Sequence, residues 1–180
     1  MPAALVVDAR VALSAAGGGS AQAVQFSSLT PAACSVSGAE VYGRQAGTDN
    51  CLLAADQQGD ANHLPAARQV LSLSIGKGSQ AIAFTSVAPA GAKVGDTYAV
   101  AATGGASGKA VVFSVDAATA AHCTIAGSSV SFTATGPCRI LADQAGDANY
   151  EAAARQQQSV QIALAAATLV ITSTPNPSKP

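Results

Sequence analysis

Two segments of the chain place carboxylate and amide side chains at a spacing that could bind a metal ion. The second, "DQAGDANYEAAARQ" (143–156), follows the first, "DQQGDANHLPAARQ" (56–69), by 87 residues (143 − 56). Calcium takes six to eight oxygen ligands, and each segment offers three side chains: Asp56, Asp60 and Asn62, then Asp143, Asp147 and Asn149. The favoured alternative is a turn in which these side chains bond backbone amides and Gly59 and Gly146 adopt positive φ.

The four cysteines form two pairs that recur with the segments, Cys34 with Cys51 and Cys123 with Cys138. Their spacings of 17 (51 − 34) and 15 (138 − 123) match no Cys-x-x-Cys metal pattern. A structural zinc site needs about four ligands, whereas each copy supplies two cysteines. We expect one disulfide in each copy, with buried free thiols as the alternative. Disulfides would imply an oxidising compartment.

No other residue pattern predicts catalysis or a bound cofactor. The loop "GGASGKA" (104–110) has three residues between its glycines where a phosphate-binding loop has four, and Ala110 follows its lysine. A turn between strands explains this loop and its counterpart "GGGSAQA" (17–23). His63 and His122 do not recur and belong to no Ser-His-Asp pattern. We therefore expect no enzyme activity and no cofactor.

The elements that must position these residues are predicted to be β-strands. Apolar residues alternate in "TYAVAAT" (97–103) and "SVSFTAT" (129–135), which is typical of half-buried strands. "YEAAARQQQ" (150–158) is interpreted as a loop or single turn, because its counterpart contains Pro65. About seven antiparallel strands per copy predict an all-β fold, an antiparallel Greek-key β-sandwich in each copy. They lie near 80–86, 96–103, 109–115, 122–126, 128–135, 137–144 and 156–164.

Composition excludes two classes of partner. The 180 residues are 49% hydrophobic and 11% charged, with a net charge of −1 and no basic run. The chain therefore lacks the electrostatic footprint of a nucleic-acid-binding protein. No apolar stretch approaches the roughly 20 residues that span a bilayer, so membrane insertion is not expected. The start, "MPAALVVDAR", has no basic region and does not resemble a secretory signal.

One copy of the repeat resembles a known family. Its "GKGSQAIAFTSVAPAGAKVGDTYAVAATGG" and "CTIAGSSVSFTATGPCRILADQAGDANY" are similar to bacterial immunoglobulin-like repeats of large surface and adhesin-like proteins. The resemblance covers residues 76–163 fully and 1–75 partly. His63 departs from it, standing where the second copy has the family-like Tyr150. The resemblance implies an extracellular stalk or spacer, sometimes adhesive, and implies no catalysis.

The offset of 87 also predicts the domain organisation. Residues 1–75 form a domain that lacks its first strand, 76–163 form a complete domain, and 164–180 contribute the first strand of a third. We interpret the chain as a fragment of a longer array of neighbouring immunoglobulin-like domains. A second hypothesis is head-to-tail strand exchange, in which 167–173 of one molecule complete the first domain of another.

The predicted function is structural. We expect a non-enzymatic spacer segment of a bacterial cell-surface or secreted adhesin-like protein, located outside the cell as part of a longer exported chain. Two alternatives remain. One is an adhesive module that binds a glycan or a host protein, and the other is an accessory domain of a secreted hydrolase.

Overall fold

The computed structural model describes residues 4–167 and 169–172 and is all-β over that range. It contains fourteen strands and one short 3-10 helix at Ala117–Thr119, and none of the described residues forms a helix long and apolar enough to cross a membrane. The strands are β1 (Arg10–Ala12), β2 (Val24–Ser28), β3 (Cys34–Ser37), β4 (Glu40–Gly43), β5 (Gly47–Gln57), β6 (Gln69–Ile75), β7 (Ala83–Phe84), β8 (Thr97–Ala99), β9 (Ala102–Thr103), β10 (Val111–Val115), β11 (Cys123–Ala126), β12 (Ser129–Phe132), β13 (Gly136–Gln144) and β14 (Gln156–Ile162). The predicted fold class, all-β with antiparallel sheets, is confirmed.

The chain forms two compact units, each with one hydrophobic core. Unit 1 contains the residues up to Ala83 together with Ala102–Val112 and Ala142–Gln156. Unit 2 contains Phe84–Ala101, Phe113–Leu141 and the residues from Gln157 onward. Unit 1 therefore combines the first repeat (residues 1–75) with three segments of the second repeat (residues 76–163), which are 76–83, 102–112 and 142–156.

Two three-stranded antiparallel sheets enclose the core of unit 1. Their strand orders are β1-β4-β3 and β2-β5-β6. Because successive side chains of a strand point to opposite faces, every second residue of a strand turns inward. The buried cluster is Leu5, Val7, Ala33, Cys34, Val41, Cys51, Leu53 and Ile75. The disulfide between Cys34 on β3 and Cys51 on β5 joins the two sheets, with their Cα atoms 5.6 Å apart.

The second repeat has the same pair of sheets, ordered β11-β12-β8 and β10-β13-β14. Residues from both sheets form the core cluster of unit 2, which is Ala92, Val100, Cys123, Val130, Phe132, Cys138, Ile140, Val160 and Ile162. The disulfide between Cys123 on β11 and Cys138 on β13 again links the sheets, with a Cα separation of 5.9 Å. Both predicted disulfide pairings are therefore present.

One predicted strand is divided in the structure. The stretch predicted near 96–103 becomes β8 and β9, which belong to different sheets. Val100 lies between them, is buried in the core, and donates its amide to the carbonyl of Ser128. The chain thus leaves one sheet at Val100 and joins the other, so β9 pairs with β7 instead of extending β8.

The C-terminal segment lies outside the strands. Thr168 and residues 173–180 of the predicted third-domain strand are outside the described residues, and 164–167 and 169–172 belong to no strand. Leu169 and Ile171 expose most of their side chains. A single strand has no backbone partner for its amides and carbonyls until another strand lies beside it.

The disulfides should stabilise each repeat strongly. Replacing Cys123 and Cys138 by alanine is expected to lower the free energy of unfolding by about 2–5 kcal/mol, because the cross-link closes a loop between two sheets. Urea unfolding followed by circular dichroism measures the loss. The same measurement on Cys34→Ala/Cys51→Ala is the matched comparison. Four alkylatable thiols in the unreduced wild type would contradict the pairing.

Candidate functional site

The repeated acidic segment folds into the same turn in both copies. The Oδ1 atom of Asp60 accepts hydrogen bonds from the backbone amides of Asn62 and His63, both at 2.8 Å. In the second copy the Oδ1 atom of Asp147 accepts from the amides of Asn149 and Tyr150, also at 2.8 Å. The amide of Asn62 and the side chain of His63 hold the pKa of Asp60 below its usual value. The aspartate therefore fixes the direction of the residues that follow it.

The aspartates that precede these turns are paired with arginine. The guanidinium of Arg68 donates to both carboxylate oxygens of Asp56, at 2.8 and 3.0 Å, and this pairing raises the pKa of Arg68. Arg155 contacts Asp143 at 2.8 Å in the second copy. In each repeat the arginine thus connects the start of the last strand, β6 or β14, to the end of the strand before it, β5 or β13.

This geometry bears on the candidate calcium ligands. Asp56 and Asp143 contact arginine, Asp60 and Asp147 accept backbone amides, and Asn62 and Asn149 donate their own amides to those aspartates. Within residues 4–167 and 169–172, no group of three His, Cys, Asp or Glu side chains is arranged to hold a metal ion. The turn explains the spacing of all six residues, and calcium binding stays a prediction.

The prediction of a positive φ for the glycine that recurs in both turns is wrong. Neither Gly59 nor Gly146 has a positive φ. A Cβ atom on Gly59 would instead overlap the carbonyl oxygen of His63, and one on Gly146 would overlap that of Tyr150. Glycine is therefore required at this position, because the backbone of a nearby residue lies too close to leave room for a Cβ atom.

Two buried glutamines, which the sequence analysis did not identify, hold the glycine-rich loops. The Oε1 atom of Gln57 accepts the amide of Gly18 at 2.6 Å, and its Nε2 donates to the carbonyl of Gln22 at 2.7 Å. Gln144 repeats this arrangement with the amide of Gly105 and the carbonyl of Lys109, both at 2.7 Å. In the loop that resembles a phosphate-binding motif, the amide of Gly105 and the carbonyl of Lys109 thus form hydrogen bonds with Gln144.

A signal for these glutamines exists in the sequence. On β13 every second residue is buried: Cys138, Ile140, Ala142 and Gln144. A polar residue that continues an inward-facing apolar series needs a hydrogen-bonding partner inside the fold. Gln57 and Gln144 are 87 residues apart (144 − 57), so they occupy equivalent positions, and each finds its hydrogen-bonding partners in the glycine-rich loop of its own copy.

The turn of the second repeat contacts the first repeat, within unit 1. The side-chain oxygen of Asn149 accepts the backbone amide of Ala46 at 3.0 Å, and its carbonyl accepts the amide of Gly78 at 2.9 Å. Tyr150 packs against the hydrophobic core of that unit and donates its hydroxyl to Asp8. At the equivalent turn, the hydrogen bonds of Asn62 and His63 among the described residues lie within the turn itself, and the imidazole of His63 lies 2.9 Å from Asp60.

Asp8 receives two phenolic hydroxyls. Tyr42 donates to its Oδ1 atom at 2.6 Å, and Tyr150 donates to Oδ2. These bonds, that of Tyr150 first, hold the pKa of Asp8 below its ordinary value. Conversely, the bond to Asp8 raises the pKa of Tyr150 to about 12 and also raises that of Tyr42. The carboxylate and the two neutral phenols stabilise each other's protonation state.

The remaining candidates play local roles. Lys109 presents its backbone carbonyl to Gln144. His122 lies against Gly136, where a Cβ atom would be 2.6 Å from its ring.

The glutamine contacts predict a specific loss of stability. Gln57→Leu removes the partners of the Gly18 amide and the Gln22 carbonyl, and should lower the free energy of unfolding by about 1–3 kcal/mol. Gln58→Leu is the matched control, because that neighbouring side chain is exposed and its change should stay within about 0.5 kcal/mol. Equal losses in chemical denaturation would contradict the assignment.

The contact between Tyr150 and Asp8 predicts a pH dependence. The raised pKa of Tyr150 means that its contribution is complete below the unfolded pKa, about 10, and is lost as pH rises through about 12. The lowered pKa of Asp8 means that its contribution is complete above about 3.9 and is lost as pH falls through the folded value. The difference in melting temperature between wild type and Tyr150→Phe should therefore be largest at neutral pH.

Calorimetry across the pH range checks this profile. Tyr98→Phe is the control, because the hydroxyl of Tyr98 donates to the uncharged Ser86 and Gln158. Its difference from wild type should not follow the acidic limb that Asp8 sets. A Tyr150→Phe difference that is constant from acid to alkaline pH would refute the pairing.

Comparison with known proteins gives only distant structural similarity. No protein-family model and no curated protein sequence matches the chain. The S-layer protein rSbsC(31-844) covers 81% of this chain at 16% identity and a TM-score of 0.38, with 21% of its own length matched. The human desmocollin-1 ectodomain and Drosophila N-cadherin EC1-4 cover 92% and 88% at 12% identity, each with a TM-score of 0.34. The chain spans less than half the length of each, and at these TM-scores the matches carry no argument.

Proposed function

We propose that the chain is a structural, non-enzymatic segment of tandem immunoglobulin-like domains from an exported bacterial surface protein. The proposed domains are 1–75 and 76–163, with a third beginning in 164–180. Three observations support this proposal. The two repeats have equivalent sheets, disulfides and turns, and the sequence resembles bacterial immunoglobulin-like repeats. The disulfides favour an oxidising, extracellular location.

The contact that carries the proposal is the one between the Asn149 turn and the first repeat. Asn149 bonds the Ala46 amide, and Tyr150 covers part of the neighbouring hydrophobic core. The short connection after the first repeat is bonded to the same turn: Lys77 donates to the carbonyl of Asp147, and Gly78 exchanges backbone hydrogen bonds with Asn149 and Glu151. Hydrogen bonds to the turn of the second repeat therefore hold the residues that connect the two repeats.

Such contacts suit a load-bearing spacer. In repeat proteins, stability is approximately the sum of each repeat's own stability and the interaction with its neighbour. A connection that is hydrogen-bonded on both sides resists bending and extension better than a free linker. The mechanism that we propose is therefore mechanical, and the turn of the second repeat stabilises the first.

The three tyrosines, which are candidates for contacts with a glycan, already have hydrogen-bonding partners within the protein. The hydroxyls of the three tyrosines donate to protein groups: Tyr42 and Tyr150 to Asp8, and Tyr98 to Ser86 and Gln158. The chain has no tryptophan. Carbohydrate-binding surfaces usually present exposed aromatic faces, whereas all three tyrosines are half-buried, and this favours the spacer over a glycan-binding module.

The test uses equivalent positions in the two turns. Asn149→Ala removes the bond to Ala46, and should increase amide hydrogen exchange in the core strands of the first repeat, although the substitution lies in the second. Asn62→Ala is the matched control, because it changes the same turn position without that contact. Native-state hydrogen exchange followed by mass spectrometry measures both.

Two results would count against the spacer proposal. The first is equal exchange in Asn149→Ala and Asn62→Ala. The second is saturable binding of the full chain to glycans or to host matrix proteins on an array, with binding lost in a loop variant that keeps the wild-type melting temperature. That second result would favour the adhesive alternative.

A further inference from the structure

The first repeat has an open apolar groove of about 560 Å³ between its two sheets. None of the described residues that line it is charged, and its largest apolar side chains are Leu5, Leu13, Phe26, Leu53, Leu71 and Leu73. Leu71 remains 52% exposed on the groove wall. Apolar surface of this kind is stabilised when another apolar element covers it.

The second repeat shows what covers the equivalent position. There Ile82 is 4% exposed, and the ring of Phe84 stacks on Phe113 with centroids 6.2 Å apart. Phe113 corresponds to Phe26 of the groove at the offset of 87 residues (113 − 26). Phe84 belongs to β7, which pairs with β9, and Thr85 donates its amide to the carbonyl of Ala101.

Within the described residues of the first repeat, no strand occupies this position beside the groove. Residues 14–16, the counterparts of 101–103 in the second repeat, belong to no strand. Ser14 and Ala15 line the groove instead. The position therefore offers both an apolar surface and an unpaired backbone edge, which are the two features that strand addition requires.

The chain carries one exposed segment with the matching sequence. At the same offset, Leu169 corresponds to Ile82 and Ile171 to Phe84 (169 − 82 and 171 − 84 both give 87). Leu169 is 90% exposed and Ile171 is 87% exposed. In an extended strand these two side chains lie on one face, and Val170 and Thr172 lie on the other.

We propose that Leu169–Thr172 of a second copy occupies the groove of the first repeat, with Leu169 and Ile171 directed inward. This proposal rests on the open groove and on the exposed side chains of the segment. The groove and the segment are different surfaces, so each copy can receive one strand and donate another. Contacts of this kind extend into open chains unless their rotation closes a ring. Of the segment 167–173 predicted for exchange, Thr168 and Ser173 lie outside the described residues.

The first experiment measures association of the full chain. Analytical ultracentrifugation from micromolar to millimolar concentration should show a mass that rises with concentration. Leu169→Asp/Ile171→Asp should weaken association by at least about 100-fold, because each buried aliphatic side chain contributes more than about tenfold. Val170→Asp/Thr172→Asp is the matched control, with the same added charge on the opposite face, and should associate more strongly than the inward variant.

The second experiment identifies the surface that receives the strand. Leu71→Asp changes an exposed groove residue and should also prevent association, whereas Gln25→Asp on the outer face of β2 should not. A mixture of the groove variant with the Leu169→Asp/Ile171→Asp variant should form a one-to-one dimer and stop there. In that pair one copy retains only its segment and the other only its groove.

Three outcomes would overturn the proposal. They are a wild-type chain that stays monomeric at millimolar concentration, inward and outward variants that associate equally, and a complementary mixture that stays monomeric. A photo-crosslinker at position 171 provides a further readout. It should yield a dimer linked to the first repeat, and a crosslink confined to one chain would also overturn the proposal.

Discussion

The hydrogen bonds that the amides of Asn149 and Tyr150 donate to Asp147 determine the direction of both side chains. Because that turn is fixed, Asn149 meets Ala46 and Tyr150 meets Asp8. The same turn at Asp60 in the first repeat ends in His63, whose ring returns to the aspartate. The two turns share their backbone hydrogen bonds and differ in the residue that follows the asparagine, which is Tyr150 in one and His63 in the other.

The other repeated residues hold this turn in place. Arg155 fastens Asp143 at the end of β13, and Gln144 holds the neighbouring glycine-rich loop. Each is a polar group placed where the apolar core ends. Buried or half-buried polar groups stabilise a fold only when their partners are present. The corner is thus a set of mutually satisfied contacts, which explains why it recurs as a block.

The sequence predicted the features that depend on local periodicity and on the repeat. Alternation placed β10 to β14 close to their observed bounds, and the recurrence of the cysteines predicted both disulfides. Contacts between distant residues were missed. The bonds of Gln57 span 35 to 39 residues, and that from Asn149 to Ala46 spans 103. A one-dimensional pattern records that Gln57 faces inward but does not identify its partner.

A β-sandwich of this size depends on covering the inner faces of its sheets. In the second repeat Ile82 and Phe84 complete the cover. In the first, Tyr150 covers one region, and the groove beside Phe26 remains open. The covered and the open regions follow from one requirement. Apolar surface that a repeat leaves exposed is stabilised when another part of the chain or another molecule covers it.

Amide hydrogen exchange at Ala46 and Gly78 in the native chain tests the central claim most directly. Both amides donate to Asn149. If the turn of the second repeat is part of the fold of the first, both should exchange at least about 100-fold more slowly than in an unstructured peptide. Exchange at the unstructured rate at both positions, while the amides of β5 remain protected, would contradict the account.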